Sequence, residues 1–342
     1  MKLSLKGEVR ELHRRSTVKV LVTGAAGFLG SEVLREALAG GIEPVALVLS
    51  GERLPSDLCG KVRQVTGDIR NRHSLTQSVI GCDAVCHCAG LAHVFKRDAS
   101  PSAFEEINSR GAENVFRAAL DAGVRQFVQV STVAVYGAHN ASLITEDHVC
   151  QPETSYAISK YRAEKVLREL AEQSGSQLVI LRMATIIGEE DPGNVGRMIR
   201  AFDRARIVAI PCGSTQKSFV HKRDAARACR AGLEYRGSTV QVVNISCLPA
   251  PLREVTELIG ARLTRPRLRI PAWCLASGGG FLRRLAKCSA AARAAERTIS
   301  RLMSDEQFSS DRARAVLGWS PVMDWRAALE AELGWYLTRV RS

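Results

Sequence analysis

The chain has 342 residues, of which 46% are hydrophobic, 5% aromatic and 24% charged. This length provides for one large domain or two smaller ones, and the composition excludes disordered, collagen-like and coiled-coil chains. No run of about 18 apolar residues predicts a membrane-spanning helix, and residues 1–17 lack the apolar core of a secretory signal. We therefore expect a cytoplasmic globular protein.

The net charge of +13 is concentrated in one segment. Residues 262–301 contain ten Lys or Arg and a single acid, Glu296, around the apolar stretch 270–282. This segment is either a solvated arginine-rich face or a surface for an anionic substrate or a weak membrane contact. Aromatic interleaving and DNA-binding motifs are missing from the sequence, so we predict no nucleic-acid partner.

The ten cysteines form no CxxC pair. Four of them lie in apolar runs, where a free thiol behaves as a small hydrophobic group: Cys86, Cys88, Cys229 and Cys274. The triplet Cys86-His87-Cys88 suggests a metal site, but neighbouring side chains on a strand point to opposite faces. We therefore predict buried thiols and no metal.

Strand-like and helix-like segments alternate along the chain. The first three are a strand at 18–22, a helix at 31–39 and a strand at 45–49. Further strands are predicted at 62–65, 84–86, 126–130, 178–181 and 240–245, and further helices at 112–122, 161–173 and 195–206. This alternation predicts an α/β fold with a mostly parallel sheet covered by helices on both faces.

A glycine-rich turn, Gly24-Ala-Ala-Gly27-Phe-Leu-Gly30, joins the first strand to the first helix. Glycines let the backbone turn tightly and approach a pyrophosphate, whose charge then lies against amides at the helix N-terminus. The spacing is GxxGxxG, and its place between strand and helix predicts a dinucleotide site. The candidate cofactor contacts here are Gly24, Gly27, Phe28, Leu29 and Gly30.

The end of the second strand distinguishes NAD from NADP in such folds. An acid there binds the ribose 2′-OH of NAD, whereas a nearby Arg suits the 2′-phosphate of NADP. Ser50 takes this place, with Glu52 and Arg53 close by. Arg53 favours NADP and Glu52 favours NAD, so both cofactors stay open at this point.

Tyr156 and Lys160 are four residues apart and share one face of a predicted helix. A lysine ammonium beside a phenol lowers the phenol pKa from about 10 toward neutrality. The pair can then take a proton from a substrate hydroxyl while hydride leaves the same carbon.

Together these motifs resemble the extended short-chain dehydrogenase/reductase family, which includes nucleotide-sugar epimerases, dehydratases and 3β-hydroxysteroid dehydrogenase-like enzymes. The resemblance runs from residue 18 to about residue 335. Besides the turn and the Tyr-Lys pair, it rests on Gly67-Asp68-Ile69, His87-Cys-Ala-Gly90, Asn108-Ser-Arg-Gly111-Ala-Glu-Asn114, Ser131-Thr-Val-Ala-Val-Tyr-Gly137, Leu181-Arg182 and Ser218-Phe-Val-His221-x-x-Asp224.

The resemblance implies a Rossmann-type doubly wound parallel sheet with a smaller C-terminal substrate domain. We divide the chain into an N-terminal extension at 1–17, a dinucleotide-binding domain at 18–188 and a mainly substrate-binding domain at 189–342. The strand near 240–245 is expected to return to the main sheet.

The resemblance also implies roles for individual residues. Thr132 would hydrogen-bond the substrate oxygen, Tyr156 would be the acid and base, and Lys160 would bind the nicotinamide ribose. The further cofactor contacts that it implies are Asp68 and Ile69 at the adenine, and Ala89, Gly90 and Met183 along the dinucleotide. On the residues alone, Asp68 also fits a cap of the following helix, and Asn108 fits a structural role.

Departures from the family pattern narrow the choice among the reactions of the family. Dehydratases of the family carry an Asp-Glu pair after the catalytic Thr, where this chain has Val133 and Ala134. Epimerases of the family hold the substrate diphosphate with an Asn and an Arg. Here Asn194 matches the Asn, Lys217 replaces the Arg, and Arg197 offers a second cation.

These observations predict an NAD(P)-dependent nucleotide-sugar epimerase that works through a transient 4-keto sugar. The resemblance also implies a homodimer. The alternative is an NADP-dependent reductase or dehydrogenase of a ketone or secondary alcohol, which Ser50, Arg53 and the apolar stretch 270–282 favour. A third reading is a cofactor-binding protein without turnover, which the intact Thr132, Tyr156 and Lys160 disfavour.

Overall fold

The computed structural model describes residues 18–92, 100–138, 143–271 and 304–340. The N-terminal extension at 1–17, the stretch from 272 to 303 with Cys274, and most of the basic segment therefore lie outside the described residues. In the described ranges, no helix is both long and apolar enough to cross a membrane.

The first half of the chain alternates strands and helices as predicted. Its elements are β1 (Lys19–Thr23), α1 (Phe28–Ala39), β2 (Glu43–Val48), β3 (Arg63–Thr66), α2 (Arg72–Val79), β4 (Ala84–His87), α3 (Pro101–Phe104), a π-helical segment (Glu105–Arg110), α4 (Gly111–Asp121), β5 (Gln126–Thr132), a 3₁₀ turn (Val133–Tyr136), α5 (Ser155–Ser174) and β6 (Gln177–Met183).

The second half has shorter strands. Its elements are β7 (Thr185–Ile187), α6 (Asn194–Arg204), β8 (Val208–Cys212), β9 (Gln216–Lys217), β10 (Phe219–His221), α7 (Lys222–Glu234), β11 (Val240–Ile245), β12 (Ala250–Pro251), α8 (Leu252–Arg262), β13 (Arg267–Pro271), α9 (Asp311–Leu317) and α10 (Trp325–Arg339).

Seven parallel strands form the central sheet, in the order β11-β6-β5-β4-β1-β2-β3. The chain runs outward from β1 to β3 and then crosses to β4 on the other side of β1. A ligand crevice forms at such a switch point, outside the carboxyl ends of the two central strands. The predicted doubly wound fold is therefore confirmed, and its crevice lies where β1 and β4 end.

The sheet is apolar on both faces because adjacent side chains of its strands point in opposite directions. Val20 and Val22 of β1 join a core with α1 and α7, whereas Leu21 joins a core with α2, α4 and α5. Both faces are thus covered by helices, and polar side chains concentrate at the strand ends.

The second half of the chain adds its own layer and also contributes to the central sheet. A separate apolar cluster joins α6, α8 and α10 through residues such as Ile199, Ile259 and Leu333. β11 pairs with β6 along the edge of the main sheet. This arrangement places α6 and β9, which carry the predicted substrate residues, on elements outside the seven-stranded sheet.

Candidate active site

The glycine-rich turn forms a close-packed cradle at the carboxyl end of β1. Gly24 has a φ of +63°, and a Cβ there would lie 2.8 Å from both the backbone nitrogen and the Cα of Ala89. A Cβ on Gly30 would overlap the carbonyl oxygen of Gly24. The first turn of α1 has no side-chain cap at Gly27, so its amides are available to an anion. Phe28 and Leu29 open the helix, and the residues fit a dinucleotide pyrophosphate.

Buried polar contacts hold the Ala89–Gly90 segment beside this turn. The backbone N–H of Ala89 donates to Thr23 Oγ1 (3.2 Å), and Thr23 Oγ1 also contacts His87 Nδ1 (2.7 Å). Burial, together with the positive charge of Lys160, lowers the pKa of His87 to about 3. His87 is therefore neutral and acts as a fixed hydrogen-bonding support.

The three predicted catalytic side chains come from two adjoining elements. Thr132 ends β5, while Tyr156 and Lys160 lie one turn apart near the start of α5. Thr154 begins α5 by accepting a hydrogen bond from the backbone of Ala157 (3.1 Å), and this cap fixes the helix just before Tyr156. Tyr156 is half-buried and lies near enough to the Thr132 hydroxyl for that group to affect its pKa.

The pKa of Tyr156 differs from the value that the sequence predicted. Burial raises the pKa of Tyr156, and the neighbouring Thr132 hydroxyl lowers it by less. The predicted lowering by Lys160 is therefore wrong, because the Lys160 ammonium donates instead to the carbonyl oxygen of Val130 (2.8 Å). Burial lowers the pKa of Lys160 to about 8, although Cys88 and Glu164 raise it.

Lys160 also lies beside the cofactor-binding segment. A Cβ on Gly90 would be 3.2 Å from Lys160 Nζ and 3.1 Å from Asn108 Oδ1. The Asn108 amide group donates to Leu91 O (3.1 Å) and Ser159 Oγ (3.0 Å), and Leu91 N donates back to it (2.7 Å). Asn108 therefore has the structural role, since it ties the strand loop to the Tyr-Lys helix.

Sequence reasoning missed a buried ionic network beside the predicted catalytic side chains. The Glu164 carboxylate accepts from Ser131 Oγ (2.5 Å) and pairs with the Arg182 guanidinium (2.7 Å). Arg182 in turn lies 4.9 Å from the centre of the Tyr136 ring, and Tyr136 Oη donates to Asn244 Oδ1 (2.7 Å). Helical spacing is the feature of the sequence that could have revealed Glu164, because it lies one turn after Lys160 on the same helix.

The residues predicted to bind the adenine follow the carboxyl end of β3. Asp68 pairs with the Arg70 guanidinium (2.6 Å), which holds the pKa of this carboxyl below its usual range. Asn71, rather than Asp68, caps α2, so the helix-cap interpretation of Asp68 was wrong. Ile69 is buried against Gly111, where a Cβ would come within 2.8 Å of its side chain.

Ser50 and Arg53 are both exposed just beyond β2, and the Glu52 carboxylate accepts from the backbone of Leu49 (3.0 Å). If Arg53 binds a 2′-phosphate, its replacement removes a charge-assisted contact worth about 1.5–3 kcal/mol. We expect Arg53→Asp to raise the Kd for NADP at least about tenfold more than the Kd for NAD. Titration of both cofactors measures this, with the exposed Arg63→Asp as control; equal changes would remove Arg53 from cofactor selection.

The predicted substrate residues lie on separate elements. Asn194 and Arg197 are exposed on the first turn of α6. Lys217 is buried in β9 and pairs with Glu306 from the C-terminal part of the chain (3.2 Å). Met183 ends β6 with 3% exposure, in the strand beside Thr132. The Glu306 partner was not anticipated, since it comes from 89 residues later in the sequence.

A buried acid fixes the loop before Asn194. Asp191 accepts from the backbone amides of Gly193 (2.6 Å) and Gly196 (2.8 Å). Glu332 of α10 approaches the same loop, and one of its oxygens, Oε2, is buried without a hydrogen-bond partner among the described residues. Burial raises the pKa of Glu332 to about 9, with a contribution from the charge of Asp191. Glu332 is therefore protonated at neutral pH.

This protonation makes stability depend on pH. Between pH 4.5 and 9 the folded protein keeps a proton on Glu332 that the unfolded chain has lost, so stability falls as pH rises. We expect Glu332→Gln to be more stable than the wild type by about 3 kcal/mol at pH 7, and by less toward pH 4.5. Urea unfolding across this range measures the difference. Glu330→Gln, at a more exposed neighbour paired with Arg262, is the control; a difference that does not change with pH would contradict the protonation of Glu332.

Comparison with known proteins agrees with this geometry. The family model described as NAD dependent epimerase/dehydratase family matches residues 20–246. The UDP-glucose 4-epimerase of Vibrio cholerae is 25% identical over 321 residues, which cover 90% of this chain and 92% of that protein.

Two further similarities concern sugars joined to a diphosphate. The N-acetyl-alpha-D-glucosaminyl-diphospho-ditrans,octacis-undecaprenol 4-epimerase of Escherichia coli O157:H7 is 31% identical over 207 residues, and the match spans 59% of each chain. The structure of MoeE5 in complex with UDP-glucose and NAD has a TM-score of 0.74 and 25% identity, covering 95% of this chain and 100% of that one. The glycine cradle, the Tyr-Lys helix and the family match together identify this chain as a nicotinamide-dinucleotide enzyme that belongs to the NAD-dependent epimerase/dehydratase family.

Proposed function

We propose that this protein is a 4-epimerase of a sugar carried on a diphosphate, with a nucleotide sugar as the first substrate class. The observation that carries the proposal is the grouping of Thr132, Tyr156 and Lys160 beside the cofactor cradle, without the acidic pair that dehydration needs. The relatives named above act on sugars of this kind, which supports the same substrate class here.

Each of the three side chains has a separate role in moving one proton. Tyr156 acts in its ionised form: as a phenolate it takes the proton of the sugar hydroxyl while the carbon becomes a ketone, and it returns that proton when the ketone is reduced from its other face. The nearby Thr132 hydroxyl lowers the pKa of Tyr156 and so favours its phenolate, and the same hydroxyl orients the substrate oxygen. A nicotinamide dinucleotide held by the glycine cradle and Lys160 would supply the hydride acceptor and donor for this reaction.

Lys160 positions the reacting groups rather than lowering the phenol pKa in the protein alone. Its ammonium, anchored on Val130 O, lies next to Gly90 and is placed to hold the cofactor ribose. With a pKa of about 8, it keeps its positive charge at neutral pH and loses it in mildly alkaline solution. We therefore expect cofactor binding to weaken above that pH.

The turn that follows Thr132 has no acid or base that could eliminate water from a substrate. Val133 and Ala134, the positions of the Asp-Glu pair in dehydratases, carry no acid or base. The nearby carboxylate of Glu164 is already bonded to Ser131 and Arg182, so it is not available to a substrate. This supports epimerisation over dehydration.

We further propose that the diphosphate lies between α6 and β9. Asn194 and Arg197 project from the exposed first turn of α6, whose placement depends on the Asp191 loop. Lys217 contributes positive charge from β9, although its bond to Glu306 and its single ammonium give it less directional binding than an Arg.

The decisive experiment offers the purified protein several diphosphate-linked sugars and follows C4 by proton NMR. The panel contains UDP-glucose, UDP-N-acetylglucosamine and N-acetylglucosamine on a polyprenyl diphosphate. We expect one carrier class to give the C4 epimer, with deuterium placed at C4 retained in the product. A 4-keto-6-deoxy product, or product formed only with equal consumption of a reduced cofactor, would overturn the proposal.

Net reduction of a ketone is the second candidate, and the exposed Ser50 and Arg53 beyond β2 favour it. The two candidates differ in how the cofactor is used, because an epimerase recycles it within each turnover. Denaturing the purified protein and identifying any released nucleotide separates them. Near-stoichiometric NAD supports epimerisation, whereas an empty site that tightens on NADPH supports a reductase.

A further inference from the structure

Three cysteine side chains meet on one face of the central sheet, beside the cofactor cradle. Cys86 lies in β4, Cys88 follows it, and Cys229 comes from α7, which covers that face. Their Sγ atoms all lie within 4.8 Å of one another, and those of Cys86 and Cys88 are 3.7 Å apart. Nothing in the proposed catalytic reaction uses this three-cysteine cluster.

The cluster differs from the triplet that the sequence suggested. His87 points to the opposite face of the sheet, where it contacts Thr23 and Phe127, so it is not a member. The same alternation that removes His87 places Cys86 and Cys88 on a common face. Cys229 supplies the third sulfur from 141 residues further along the sequence.

The spacing suits a metal ion bound by three sulfurs. A metal–sulfur bond of about 2.3 Å gives sulfur–sulfur separations of about 3.8–4.0 Å in tetrahedral or trigonal coordination. The Cys86–Cys88 separation of 3.7 Å is already close to this range. For the remaining pairs, which lie within 4.8 Å, a sub-ångström change in side-chain position is enough.

The donor set also selects the ion. Among the described residues, the cluster includes no fourth His, Cys, Asp or Glu ligand. Structural zinc sites are almost always four-coordinate, whereas soft thiolate ligands select monovalent copper, for which three sulfurs complete a trigonal site. The positive charge of Lys160, close to Gly90 in the segment that follows Cys88, offsets part of the negative charge of such a complex.

We propose that Cys86, Cys88 and Cys229 form a binding site for one monovalent copper ion. Each thiol that binds loses its proton, so the metal displaces up to three protons and no electron transfer is involved. Cys88 is partly exposed and gives the ion an approach from the cofactor side, whereas Cys86 and Cys229 are buried. The site is separate from the proposed reaction and does not depend on its substrate.

The test is an anaerobic titration of the full-length, reduced protein with copper(I) held in a coloured chelator complex. We expect one copper ion per chain to leave the chelator, and Cys229→Ser to weaken this binding at least about tenfold. Cys82→Ser makes the same change at a buried thiol on the other face of the sheet, and it should bind as the wild type does.

Two further measurements keep the outcome decisive. Circular dichroism establishes that each variant is folded, and Cys88→Ser replaces Cys229→Ser if the latter is not. Copper binding by the folded cluster variant that equals binding by the wild type would overturn the site. Binding of one zinc ion in preference to copper(I) would overturn the choice of metal, and no binding of either would show three neutral thiols packed as apolar groups.

Discussion

Replacing Tyr156 by Phe is expected to reduce kcat by about 10²–10⁴-fold, which is the usual contribution of a positioned acid-base group. The phenol is the group that meets Thr132, and it is held at the start of α5 by the Thr154 cap. Phe keeps the ring and its edge-on contact with Phe104, whose centroid is 6.5 Å away. The substitution therefore removes the proton carrier and leaves the packing.

Cofactor affinity separates this loss from a loss of structure. Because Gly24, Gly30 and Lys160 are unchanged in the variant, we expect its Kd for the nicotinamide cofactor to stay within about threefold of the wild-type value, which is under 1 kcal/mol. Tyr161→Phe, on the next turn of the same helix, is the matched control and should keep normal turnover. Substantial turnover by Tyr156→Phe would exclude the phenol as the proton carrier.

The parts of the site that the sequence predicted are those with local patterns. Gly24, Gly27 and Gly30 lie within seven residues at a strand–helix junction, and the backbone geometry requires glycine at Gly24 and Gly30. Tyr156 and Lys160 are one turn apart, so helical spacing alone places them together. The strand–helix alternation likewise predicts the parallel sheet, because crossovers between parallel strands require helices.

The parts that the sequence did not predict join distant segments. Glu164 meets Arg182 across the α5–β6 connection, Glu332 meets the Asp191 loop from α10, and Cys229 reaches β4 from α7. A single sequence contains no periodicity that reports such contacts. The sequence also did not predict the raised pKa of Tyr156. This pKa depends on how deeply the phenol is buried, and the position of Lys160 four residues later does not report that burial.

Removing the charge of Glu164 is expected to be the most destabilising single change in the site. The Glu164 side chain is completely buried and the Arg182 side chain is 3% exposed, so Glu164→Gln leaves a buried guanidinium without its counter-charge. Breaking a buried pair in this way costs about 3–5 kcal/mol, because water cannot solvate the remaining charge. We expect a loss of this size in the free energy of unfolding, measured by urea titration.

An exposed pair provides the matched control. Glu113 and Arg117 on α4 are also joined by a hydrogen-bonded ion pair (2.8 Å), but both side chains reach solvent. Glu113→Gln should therefore cost no more than about 0.5 kcal/mol. Equal losses in the two variants would mean that the Glu164–Arg182 pair is solvated in solution. A loss confined to Glu164→Gln would show that this buried ion pair, which also bonds Ser131 beside Thr132, stabilises the fold at the end of β5.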